Sequence, residues 1–262
     1  MTEGPAGPRG SNVRTQQILL GLVVLALVVV ATLVVLGRED GGSAAGDAQE
    51  PAGEVSLVAG PPPTEPVRLP ARGAFVDVRV QPDGTVDVTQ WLRSGNAISE
   101  LTLAVFDSPQ IDVPGPGPQA TDVQVSTSQG TVVLADPTIG AEPRTIDLVR
   151  PSLLVQLDYT LTGVTETQSS PPGRALIGTV FLDTAFEGEQ GRERVQVGGR
   201  RILSLACIDP EAELALSPCG GEREGGWSVN LKGGNLDDRV TAQVDLNRRP
   251  EANPDRRDSP TS

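Results

Sequence analysis

The chain has no histidine, a single lysine (Lys232), two cysteines and seven aromatic side chains in 262 residues. Each shortage closes a class of chemistry. Without histidine the usual general base of Ser and Cys hydrolases and the commonest transition-metal ligand are both missing, so His-dependent triads are excluded. A Ser–Lys dyad would rest on Lys232, which opens Lys232-Gly233-Gly234, a turn signal rather than a catalytic setting. Two cysteines cannot supply the four ligands of a structural zinc site, and no metal or other cofactor is expected. The sequence also lacks a Gly-x-Ser-x-Gly elbow, a phosphate loop and a dinucleotide fingerprint.

Hydrophobic runs are scarce too, with one exception. Ile18 to Leu36 is nineteen residues long and uncharged, and residues 37–262 hold nothing comparable. At about 1.5 Å per helical residue it reaches roughly 28 Å, the thickness of a bilayer core. A single transmembrane helix is expected over 18–36, with residues 1–17 as a short N-terminal stub. Arg9 and Arg14 precede the run, whereas Arg38 lies just past it beside Glu39 and Asp40, so the positive-inside rule puts the N-terminus in the cytoplasm. A cleaved signal peptide is the rival reading. The run is longer than the usual core of about 7–15 residues, and the nearest small-residue site, Ser43-Ala44-Ala45, lies well past it, so an uncleaved anchor is favoured. No cysteine borders the run, which leaves a lipid-modified N-terminus unsupported.

Beyond the span the chain is acidic, with 33 Asp and Glu against 19 Lys and Arg. Such a surface repels nucleic acid, and no nucleic-acid role is expected. Twenty arginines against one lysine is the bias of a GC-rich bacterial genome. The expected location is therefore a bacterial cell membrane, with the bulk of the chain extracytoplasmic. In that compartment Cys207 and Cys219 are expected to be bonded to each other.

Residues 37–66, with Pro61-Pro62-Pro63, read as a flexible linker, and residues 247–262 as a disordered tail. Between them, over 67–246, apolar residues alternate with polar ones at period two. Val76, Val78 and Val80 do so, as do Val155, Leu157, Tyr159 and Leu161, then Trp227, Val229 and Leu231, then Val240, Ala242, Val244 and Leu246. These are half-buried strands, and about ten to twelve of them predict an all-β domain, an antiparallel β-sandwich. Pro82-Asp83-Gly84 is expected to turn the chain between strands, and Gly198-Gly199 to close a two-residue hairpin. Arg174 to Phe186, apolar on both faces in places, predicts one central strand. The proline-rich stretch from Pro109 to Gln119 predicts a stiff exposed loop.

Candidate contacts are few. A bridged Cys207–Cys219 segment, with Asp209, Glu211 and Glu213, would offer a preorganised acidic surface to a protein or envelope partner, and Trp227 an apolar anchor. The alternative for Trp227 is core packing. Asp77, Asp87 and Asp158 fall on the polar parity of their strands, where solvation is the default. Asp183, Glu187 and Glu189 surround a strand end in a spacing that matches no EF-hand loop, so a solvated acidic loop is favoured over calcium. The expectation is a non-enzymatic, single-pass envelope protein that binds a partner. The alternative is an anchored or secreted hydrolase using a carboxylate pair, which a deep cleft with two close, partly buried carboxylates would favour.

Overall fold

The computed structural model describes residues 56–108, 115–167, 171–188, 191–210, 216–223 and 226–248. The expected span at 18–36 lies outside them. Among the described residues no helix is long and apolar enough to cross a membrane.

The described chain is all-β, in two sheets. The larger runs in the order β1 (Ser56–Val58), β5 (Gly130–Val133), β4 (Gln119–Thr127), β6 (Arg144–Thr162), β3 (Val86–Val105), β2 (Gly73–Val80), β10 (Arg192–Gly198), β14 (Gly226–Leu231) and β13 (Gly221–Arg223). A short strand, β9 (Leu182–Ala185), pairs with the second half of β3. The smaller sheet runs β12 (Leu216–Pro218), β11 (Arg201–Ile208), β15 (Arg239–Asp245), β8 (Arg174–Val180) and β7 (Thr165–Glu166). Inward residues of both sheets, among them Val76, Leu157, Val195, Ile177, Leu205 and Val244, belong to one hydrophobic cluster. Period-two alternation puts them there, because successive side chains of a strand leave opposite faces.

Four expectations change on contact with the structure. The pairing is not wholly antiparallel, since β10 lies parallel to β2 from Arg192 opposite Gly73 to Gly198 opposite Arg79. The long excursion between those strands allows it, as a parallel neighbour cannot be reached by a tight turn. Gly198-Gly199 closes no hairpin: both edges of β10 are taken, by β2 and β14, and the chain crosses to the other sheet to begin β11. Gly199 has φ +93°, and a Cβ there would stand 2.4 Å from the Val80 carbonyl oxygen, so glycine is needed for close approach. Arg174 to Phe186 is two strands, not one. The chain leaves the small sheet after Val180, buries Phe181 completely and joins the large sheet at Leu182. Finally, β1 lies inside the stretch expected to be linker, because Leu57 and Val58 pair with Val132 and Thr131 of β5; three residues are too few to show a period.

Two other expectations hold. Pro82-Asp83-Gly84 forms the β2–β3 turn, closed by the Gln81 amide donating to the Thr85 carbonyl. Asp77, Asp87 and Asp158 face away from the core, where Thr89 donates to Asp158 at 2.8 Å and Thr160 to Asp87 at 3.2 Å. Of the proline-rich stretch, 109–114 lie outside the described residues, while Gly115, Pro116 and Gly117 are exposed and Pro118 is buried as β4 begins.

Candidate functional site

Among the described residues an unusual electrostatic setting lies where β10 begins. Val195 and Val197 are buried, so Glu193, at the same parity, is turned toward the core. The register places it in an inward row: Leu231 of β14 opposite Glu193, Glu193 opposite Ala74 of β2, Ala74 opposite Leu92 of β3. A carboxylate thus occupies an apolar position, and Ala74, being small, leaves space beside it. Two glycines let the backbones converge at this rim. A Cβ on Gly73, whose φ is +123°, would stand 1.9 Å from the Arg192 carbonyl oxygen, and one on Gly191 would stand 2.3 Å from that of Arg72.

The space is a cavity of about 350 Å³. Leu92, Val180 and Leu182 form buried walls, Phe186 and Leu236 are half-buried, and Ala185, Arg192 and Asp237 are exposed at its margin. β9 contributes Asp183, which forms an ion pair with Arg239 at the start of β15. Arg239 also donates to the Asp237 carbonyl and lies over the Phe106 ring, 5.3 Å from its centroid. A second polar chain leads in from the core: the Tyr159 hydroxyl donates to Gln90 at 3.4 Å, and Gln90 to Thr184 at 3.3 Å.

Glu193 fares differently from its neighbours. Its Oε1 is buried and has no hydrogen-bond partner. Burial pushes its carboxyl from an ordinary 4.5 up to about 7; the Arg239 guanidinium opposes the rise, and the charges of Asp183 and Asp237 add to it. Asp183 is raised by burial as well, against the pull of Arg239. Burial, then the charges of Glu193 and Asp183, push the Tyr159 phenol up. Three titratable groups on β6, β9 and β10 are therefore electrostatically coupled, and two of them, Asp183 and Glu193, line the cavity. Among the described residues no three carboxylates converge closely enough to hold a metal ion.

The residues expected at the site lie elsewhere. Cys207 and Cys219 form a disulfide, with Cα atoms 5.7 Å apart, that ties β11 to the residue after β12. Asp209 is exposed just beyond β11, while Glu211 and Glu213 lie outside the described residues. Trp227 sits in β14 opposite Val197 and Glu222, half-buried and packed against the core. Beside the bridge is a hollow of about 420 Å³ lined by Arg223, Lys232, Asn235 and Asp238, so cationic groups stand where acidic ones alone were expected. Lys232 is exposed and leads into a 3₁₀ turn, Gly233–Asn235.

Sequence reasoning passed over Glu193, although a signal was present: Glu193, Val195 and Val197 share one parity, and a carboxylate in that series is a polar residue at a core position.

Neither a protein family nor a curated relative matches this sequence. Among solved structures, an aminopeptidase N family protein from Idiomarina loihiensis aligns with 66% of this chain and 29% of its own, at 12% identity and a TM-score of 0.34. An M1 zinc metallopeptidase from Deinococcus radiodurans aligns with 66% of this chain and 41% of its own, at 14% identity and a TM-score of 0.26. The chain spans less than half the length of either, and at such scores the likeness assigns neither fold nor activity.

Proposed function

We propose that the protein is a non-enzymatic, single-pass membrane protein of the bacterial cell envelope, whose two sheets form an extracytoplasmic β-sandwich that binds a protein or envelope partner. The observation that carries this reading is the bridged corner. The chain passes from β12, an edge of the small sheet, through Cys219 and Gly220 to β13, an edge of the large one. Edge strands offer unpaired backbone groups, and the Cys207–Cys219 bridge limits the entropy lost when they are engaged. Asp209, Arg223 and Lys232 beside them give charges of both signs for selecting a partner. Crosslinking of the full-length protein in its native membrane, with mass spectrometry of the captured species, is the test. One reproducible envelope protein, lost when segment 207–219 is replaced, is the expected result; no specific partner overturns the reading. The anchor is checked separately, by retention in carbonate-washed membranes and release when 18–36 is deleted.

A second reading, an anchored or secreted carboxylate-dependent hydrolase, is favoured by one observation: Glu193 and Asp183 share a cavity and are both held above the usual carboxylate range. Turnover of chromogenic glycosides that Glu193→Gln abolishes would establish it in place of the first.

A further inference from the structure

We propose that the cavity between β9, β10 and the segment leading into β15 is a binding site for a small organic cation, a primary ammonium or guanidinium group on a short apolar body, with Glu193 as its counter-charge. This goes beyond the partner reading and does not depend on it.

Glu193 Oε1 is an unmet acceptor. A buried carboxylate oxygen without a donor has lost its water and gained nothing in exchange, which is costly unless something else supplies the hydrogen bond. Arg239 does not supply it as placed: it is paired with Asp183, donates to the Asp237 carbonyl and lies over the Phe106 ring, and its buried Nε, itself without a partner, does not meet Glu193 Oε1. Arg192, the other arginine of the lining, is exposed at the margin. Four carboxylates, Asp183, Glu193, Asp237 and Asp238, therefore share the cavity with two guanidiniums, and Glu193, turned inward, feels the charge of Arg239 but receives no hydrogen bond at Oε1. Asp238 is not a competitor for the ligand, because it is buried and accepts from Asn235 at 3.0 Å.

The walls decide the kind of cation. No three carboxylates of the described residues could share a metal ion, and Leu92, Val180, Leu182 and Leu236 offer hydrocarbon, which a hydrated inorganic cation does not use. A cavity of about 350 Å³ accommodates a group of a few heavy atoms with an apolar stem. An alkylammonium satisfies both features at once: its nitrogen donates to Glu193 and its chain covers the leucines.

The test is isothermal titration of the full-length protein in nanodiscs of zwitterionic lipid, corrected for empty nanodiscs, with n-butylammonium and its neutral counterpart n-butanol as probes. The expected result is saturable binding of n-butylammonium at least tenfold tighter than n-butanol. That preference should vanish in Glu193→Gln, which keeps the side chain's shape and removes its charge, while affinity for n-butanol stays within twofold. A wild-type protein that does not prefer the cation overturns the proposal without recourse to any variant. So does a Glu193→Gln protein, folded by its tryptophan fluorescence, that keeps the preference.

Discussion

Glu193→Gln should abolish a stability penalty that appears only as the pH rises. In the folded protein burial holds this carboxyl at about 7, against an ordinary 4.5 when the chain is unfolded and solvated. Between those values the native state keeps a proton that the unfolded state has released. Stability therefore falls as pH rises through that window, and is flat below 4.5 and above 7 as far as this group is concerned. At about 1.4 kcal/mol for each pH unit, the penalty reaches roughly 3 kcal/mol by pH 8. Glutamine cannot ionise, so the variant should gain about that much on the wild type between pH 4.5 and pH 8, whatever other carboxylates do to both. Asp83, held below its usual range by the Thr85 amide and hydroxyl, pulls the other way but is common to the two proteins and cancels. Urea unfolding of the full-length chain in non-ionic detergent measures the difference. Trp91 and Trp227 are its only tryptophans, both in the β region, so fluorescence reports on that region alone. A variant minus wild-type difference that stays constant within about 0.5 kcal/mol across this range would show that Glu193 is solvated, and would remove the desolvated acceptor that the cation site requires.

Packing and connectivity give three further outcomes. Replacing both Cys207 and Cys219 by serine opens a ring with a sequence separation of 12 and should cost about 3 kcal/mol in the same urea assay, with no free thiols detectable in the denatured wild type. Phe181→Ala, at a fully buried position where the chain passes between sheets, should cost about 3–5 kcal/mol and lower the urea midpoint accordingly. Gly73→Ala would force a methyl group to within 1.9 Å of the Arg192 carbonyl at a backbone angle that suits glycine, so it should disrupt the parallel β2–β10 pairing and prevent folding, seen as loss of the far-UV circular dichroism of sheet.

The strands were legible because most of them face water on one side. Val76, Val78 and Val80, or Val155, Leu157, Tyr159 and Leu161, announce a half-buried surface by parity alone, and β2 and β6 stand there. Pairing was not legible, because parity names a face and not a neighbour. Gly198-Gly199 has the residues of a hairpin turn, yet β10 already has partners on both edges, one of them more than a hundred residues earlier in the chain. The same limit hid the sheet change at Phe181: Val180, Phe181 and Leu182 are all buried, and a continuous apolar run reads the same whether the strand continues or crosses to a second sheet.

Glu193 marks a different boundary. Its parity with Val195 and Val197 is written in the sequence, but parity alone could equally mean that the strand ends before it and the side chain returns to water. What decides is the neighbour across the ladder: Ala74 in place of a larger residue, with Gly73 and Gly191 drawing the backbones together, keeps β10 paired through Arg192 and so carries the carboxylate past the point where it could escape. The burial of Glu193 Oε1 is thus imposed by β2, some 120 positions away, together with the adjacent Gly191, while Arg239, which tempers its charge, arrives from the last strand and is itself committed to Asp183 and Phe106. An acid confined by the fold and left without a donor is explained by what the cavity admits, and a cation with an apolar stem is the ligand that meets both the charge and the walls.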